Sequence, residues 1–137
     1  MSGKLLKIGI VGCGAIGTSL AKIISRDFSG QAKLAGLFDL ELSRSRKLAK
    51  IISKNEILAI KSLERLISKS ELVIECASSL SSFNIAKQTL SKKRNCMVMS
   101  VGGVVENFKQ LLALAEKNKL KIYIPSGAIA GIDALKA

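Results

Sequence analysis

A chain of 137 residues with 48% hydrophobic residues and a single proline has the length of one domain and enough apolar content for a packed core, which excludes a disordered chain. Lysines and serines interrupt every apolar run before the roughly 18 residues a membrane span requires, and "MSGKLLKIGIVG" has no signal-peptide h-region, so a cytoplasmic location without membrane attachment is expected. The formal charge of +12 is spread over many segments, and its densest cluster, "SKKR", lacks interleaved aromatics; it reads as a solvated basic surface with no nucleic-acid partner.

Leu5 to Val11 reads as a buried strand running into Gly12, Gly14 and Gly17. Ala15 to Arg26 follows as a helix with Ile16, Leu20, Ile23 and Ile24 on its apolar face, and Lys33 to Asp39 is the second strand. Ser43 is placed to cap a helix from Arg44 to Ser53, "EILAI" reads as a short third strand, and Ser62 is placed to cap "LERLIS". The continuous run "ELVIECA", Glu71 to Ala77, predicts a central strand covered on both faces. A helix from about Ser82 to Lys92, the strand "CMVMSV", a helix carrying Phe108, Leu111, Leu112 and Ala115 at i, i+3, i+4 and i+7, and a sixth strand "LKIYI" complete the series. Strands alternating with helices predict an α/β fold: a Rossmann-type, doubly wound parallel sheet in the order 3-2-1-4-5-6.

In "KIGIVGCGAIGTSLAKII" the glycines stand at G-x-G-x-x-G spacing between a strand and a helix. Gly12 permits the tight turn, Gly14 lets backbone approach a pyrophosphate, and Gly17 lets the helix pack on the sheet. The helix N–H groups beginning near Ala15 then face phosphate. The cofactor-binding set read from this loop is Gly12, Cys13, Gly14, Ala15, Ile16 and Gly17, the Cys13 thiol serving as a small filler. Asp39, at the end of the second strand and about 20 residues beyond the third glycine, is the expected acceptor for the adenine ribose hydroxyls. That acid favours NAD, whereas Arg44 and Arg46 just beyond it are available to a 2′-phosphate, so NAD and NADP both stay open. The three cysteines, Cys13, Cys76 and Cys96, have no C-x-x-C spacing and read as free thiols, and no metal ligand set is found.

The segments "VIECASS" (Val73 to Ser79), "MVMSVGG" (Met97 to Gly103) and "IYIPSGAIAGIDALKA" (Ile122 to Ala137) resemble the amino-terminal half of the L-aspartate dehydrogenase family. The resemblance implies NAD(P)-dependent oxidation of the small molecule L-aspartate to iminoaspartate, which either hydrolyses to oxaloacetate and ammonia or feeds NAD biosynthesis. It implies that Ala77 and Ser78 line the nicotinamide side, that Ala128 contacts the cofactor near the domain junction, and that Ser100 and Gly102 form pocket wall.

The family continues into a second domain that supplies an acid/base histidine, whereas this chain ends at Ala137 and contains no histidine. No catalytic residue is named; Asp133 and Lys136 read as solvated or linker residues. The expected organisation is a nucleotide-binding domain over residues 1–125 and, over 126–137, the start of a connection to a catalytic domain outside this chain. A stand-alone NAD(H)-binding regulatory module is the alternative, and apolar surface at the last strand leaves a homo-oligomer open.

Overall fold

The computed structural model describes residues 3–125. β1 (Leu6–Val11) leads through the glycine loop into α1 (Ala15–Asp27), followed by β2 (Ala32–Phe38), α2 (Leu42–Ser53), α3 (Leu63–Lys69) and β3 (Leu72–Glu75). α4 (Ser82–Ser91), β4 (Asn95–Val98), a short turn of helix at Val101–Gly103, α5 (Phe108–Lys117) and β5 (Ile122–Tyr123) follow. Every pairing in the sheet is parallel. The fold is a Rossmann-type α/β sheet, with strand order β2-β1-β3-β4-β5.

That order corrects the six-strand expectation of 3-2-1-4-5-6. The segment "EILAI" does lie beside β2, but only as a single parallel bridge between Leu37 and Ala59. Its first residues are bent away: Ile57 N–H donates to Asn55 Oδ1 at 2.9 Å and Ala59 N–H to the Glu56 carbonyl at 3.0 Å. Ser62 then caps α3 by accepting from Arg65 N–H, so too few extended residues remain for a strand. The start of α2 also differs. Asp39 Oδ1 accepts from Glu41 N–H at 2.8 Å, which turns the chain early, and the helix opens at Leu42 with no side-chain cap instead of behind Ser43.

Alternation along the strands sends side chains to two faces. Ile8, Ile10, Leu72 and Ile74 pack with Ala21 and Ile24 of α1 and with Leu48 and Ala49 of α2. Val11 and Val73 meet Leu66 and Ile67 of α3 and Ile85 of α4 on the opposite face. At the far edge, Cys96 and Val98 of β4 pack with Ala86 and Leu90 of α4 and Phe108, Leu111 and Ala115 of α5. Both faces are therefore covered, as the apolar run of β3 requires. The chain leaves β1 toward β2 on one side and later returns to place β3 on the other, which opens a crevice at the carboxyl ends of these strands.

The last strand is two residues long because the chain before it is otherwise engaged. Leu120 N–H donates to the Ala115 carbonyl at 2.8 Å to close α5, Lys119 takes a left-handed φ of 56°, and Lys121 N–H donates to Asn95 Oδ1 at 2.9 Å.

Candidate nucleotide site

The glycine loop is shaped by contacts that only a missing Cβ allows. Gly12 has φ +101°, and a Cβ there would lie 2.6 Å from the Cys76 carbonyl group. A Cβ on Gly17 would lie 1.8 Å from the Gly12 carbonyl oxygen, so α1 can sit this close to the loop only with glycine at that position. Gly14 differs: nothing stands within 4 Å of its Cβ position, and its φ of −80° suits any residue. The space at Gly14 is not needed by the fold; it is free for a ligand. No side chain caps the amino end of α1, so the N–H groups of its first turn lack acceptors within the helix and present a positive edge beside Gly14.

Asp39 stands at this edge. Its Oδ2 accepts from Cys13 N–H at 2.8 Å and its Oδ1 from Glu41 N–H at 2.8 Å, so the carboxylate ties the end of β2 to the glycine loop. Each carboxylate oxygen has two lone pairs, and each keeps one for a further donor such as a sugar hydroxyl.

A cleft of about 480 Å³ opens between these groups and the loop after β3. Gly12, Gly14 and Asp39 line it from one side and Ala77 and Ser78 from the other, with Ser81, Asn84 and Leu63 adding to the wall. Its volume falls within the range of small-molecule and cofactor sites. The mouth separates the two arginines that the sequence leaves together: Arg44 lines the cleft and pairs with Glu41 at 3.2 Å, whereas Arg46 lies outside it, paired with Glu56 at 3.3 Å.

The remaining predicted residues are distributed differently. Ala15 and Ile16 are exposed on the first turn of α1, and Gly17 is buried against Gly12 rather than lining the cleft. Cys13 reaches Asp39 through its backbone, while its thiol is buried with Sγ 3.8 Å from the Phe38 carbonyl. Burial, and then the Asp39 charge, push that thiol up to about 12. Cys76 is likewise pushed up to about 12, by burial first and then by Glu75 and Cys13, so neither thiol is a nucleophile near neutral pH. A Cβ on Gly102 would meet only Ser79 Oγ, at 3.5 Å, and Ser100 N–H donates to Glu75 Oε1 at 2.9 Å; neither residue lines the cleft itself. Ala128 lies outside the described residues, as does the whole segment 126–137.

Sequence reasoning missed Ser81 and Asn84, which carry no motif and reach the cleft only because α4 begins beneath it. It also passed over Glu75. A lone acid inside the apolar run "LVIECA" was the available signal.

A dinucleotide fits this arrangement: open space at Gly14, a free helix end behind it and a carboxylate at the β2 side. A family model described as the NAD-binding domain of homoserine dehydrogenase matches residues 12–125. The chain belongs to this NAD-binding domain family. Its cofactor class is thus NAD(P). This NAD-binding domain is 40% identical, over 97% of the chain, to an L-aspartate dehydrogenase of Methanococcus maripaludis, of which it covers 50%. It is 37% identical to one of Methanocaldococcus jannaschii, again over 97% of the chain and 50% of the relative. The chain thus spans about half the length of the curated relatives it matches. Among solved structures, UDP-N-acetylglucosamine 3-dehydrogenase from Acidithiobacillus ferrooxidans superposes with a TM-score of 0.77 at 20% identity, over 89% of this chain and 37% of that one. At that identity the likeness is one of fold.

Among the described residues, no helix is long and apolar enough to cross a membrane, and no group of three or more His, Cys, Asp or Glu is arranged to hold a metal ion.

Proposed function

We propose that this NAD-binding domain serves an L-aspartate dehydrogenase, with residues 1–125 forming the cofactor domain and 126–137 the start of the connection to a catalytic partner domain. The observation that carries the proposal is the identity of 37–40% over 97% of the chain to proteins of that name. Bound NAD(P) supplies a hydride acceptor for oxidation of the amine carbon of L-aspartate. The chain's own residues bind and orient. Gly14 admits the pyrophosphate to the N–H groups at the start of α1, and Asp39 accepts from the adenosine ribose hydroxyls. With adenosine on the β2 side, the nicotinamide half extends over the ends of β3 and β4, where Ala77, Ser78 and Ser100 leave room for a ring and a small dicarboxylate. Ala128 belongs to this reading as a contact at the domain junction. Cofactor selectivity is divided between Asp39, which repels a 2′-phosphate, and Arg44, which attracts one. In this reading the proton released from the amine passes to an acid/base group of the catalytic partner domain.

The test has two arms. Calorimetric titration of this chain with NADH and NADPH measures the binding half. Production of NAD(P)H from L-aspartate by a polypeptide that joins this chain to a second domain of the curated relatives' kind measures the activity. Binding without aspartate-dependent reduction in that longer protein would overturn the substrate assignment, and no binding at all would overturn the cofactor assignment.

A further inference from the structure

Glu75 is the last residue of β3 and is 0% exposed, yet it is paired with no cation in the structure: none of the ion pairs among the described residues includes it. Its two oxygens are used separately. Oε2 accepts from Ala77 N–H at 2.8 Å, two residues along the same chain, and Oε1 accepts from Ser100 N–H at 2.9 Å, in the loop beyond β4. The Glu75 backbone carbonyl adds a third bond to the same loop, accepting from Met99 N–H at 3.0 Å. One buried carboxylate therefore clamps together the two loops that follow adjacent strands at the carboxyl edge of the sheet.

A buried carboxylate without a cation is expensive, and an apolar residue would suit the packing of β3 beside Val73 at lower desolvation cost. β3 and β4 are already joined by the parallel ladder from Leu72–Asn95 to Glu75–Val98, so the sheet does not need the clamp to pair. What the carboxylate adds lies beyond the ladder: it fixes Ala77 and Ser100 against each other where no sheet hydrogen bond reaches. Asp39 does the same on the other flank, tying the end of β2 to the glycine loop. The crevice is thus bounded by two carboxylates, one half-exposed at its adenosine side and one fully buried behind its far wall.

Resting on the reading that NAD(P) lies across this crevice, we propose that Glu75 is a positioning residue for the nicotinamide half of the cofactor. It touches no ligand. It acts through Ala77 and Ser100, holding the far wall at the width a nicotinamide ring needs, while the glycine loop and Asp39 hold the ADP half without it. The consequence is selective: loss of the clamp weakens molecules that carry the nicotinamide ring and spares those that end at the ADP-ribose.

Glu75→Gln tests this. The amide keeps the shape but offers one acceptor and one NH2 donor to two N–H donors, so one bond of the clamp is lost. The whole chain, wild type and variant, is titrated calorimetrically with NADH and with ADP-ribose, and folding is checked by a cooperative melt. The expected result is a Kd for NADH raised by about tenfold, on the scale of one charge-assisted hydrogen bond, with the Kd for ADP-ribose changed by less than about twofold. Glu75→Asp, which keeps the charge but cannot span both N–H groups, is the second variant and carries the same expectation if the glutamine variant does not fold. Equal weakening of both ligands, or of neither, in a folded variant would overturn the positioning role. Failure of the wild-type chain to bind either ligand would instead overturn the cofactor reading on which it rests.

Discussion

The three glycines of the loop make different demands on the structure, and substituting them separates folding from binding. In Gly17→Ala, the new methyl group would start 1.8 Å from the Gly12 carbonyl oxygen, against a floor of about 3.0 Å for real Cβ contacts. α1 must move off the sheet by more than an ångström, and overpacking of that kind costs about 3 kcal/mol, or a fall in Tm of roughly 12 °C for a domain of this size. In Gly14→Val, the branched side chain meets nothing within 4 Å of its Cβ. Loss of a favourable cap residue and the lower entropy of the unfolded valine nearly offset each other, so stability changes by less than about 1 kcal/mol and Tm by less than about 4 °C. Binding behaves oppositely at this position. The valine occupies the place from which phosphate oxygens would reach the α1 N–H groups, and loss of two such charge-assisted bonds corresponds to a Kd raised at least about a hundredfold. Circular-dichroism melts and calorimetry with NADH give both quantities on the same samples. Undiminished NADH affinity in Gly14→Val would refute the loop as the phosphate site. A Tm as low as that of Gly17→Ala would refute the open space at Gly14.

Asp39→Ala is expected to weaken both cofactors by releasing the Cys13 N–H, and to shift the ratio of their Kd values about tenfold toward NADP(H), because ribose acceptance and 2′-phosphate repulsion vanish together. Equal losses in paired titrations would count against that role. Arg44→Ala should weaken NADPH by about tenfold and leave NADH within about twofold, whereas Arg46→Ala, paired with Glu56 away from the cleft, should change neither. Cys13, Cys76 and Cys96 are all pushed from 9.0 up to about 12 by burial first, so iodoacetamide at pH 8 should label the native chain far more slowly than the urea-unfolded chain. The same shifts set a sign for stability: raised folded-state values mean stability that is intact below about pH 9 and is lost as pH climbs toward 12, because the unfolded thiols ionise first. A urea midpoint that rises between pH 9 and pH 11 would contradict it.

Local chemistry made much of this protein legible from its sequence. Glycine spacing between a strand and an apolar-faced helix dictates a turn that only missing side chains permit, and the run around Val73 has no polar face to expose, so a parallel sheet covered on both sides follows. Asp39 could be placed by its distance from the glycines alone, since one helix and one strand separate the two ends of such a unit.

Other features depended on contacts across the chain. "EILAI" has the composition of a strand, but the turn at Asn55 and the cap at Ser62 leave it room for one bridge. Arg44 and Arg46 stand two residues apart, about 200° around α2, so only one of them can face a given side; the fold decides that Arg44 is the one that lines the cleft. Glu75 reads as an anomaly in an apolar segment until the fold brings Ser100, 25 residues away, to its carboxylate. Periodicity records which way a side chain faces relative to its own element. Which distant N–H group it meets there is decided by the packing of one strand's loop against the next, and that information exists only in three dimensions.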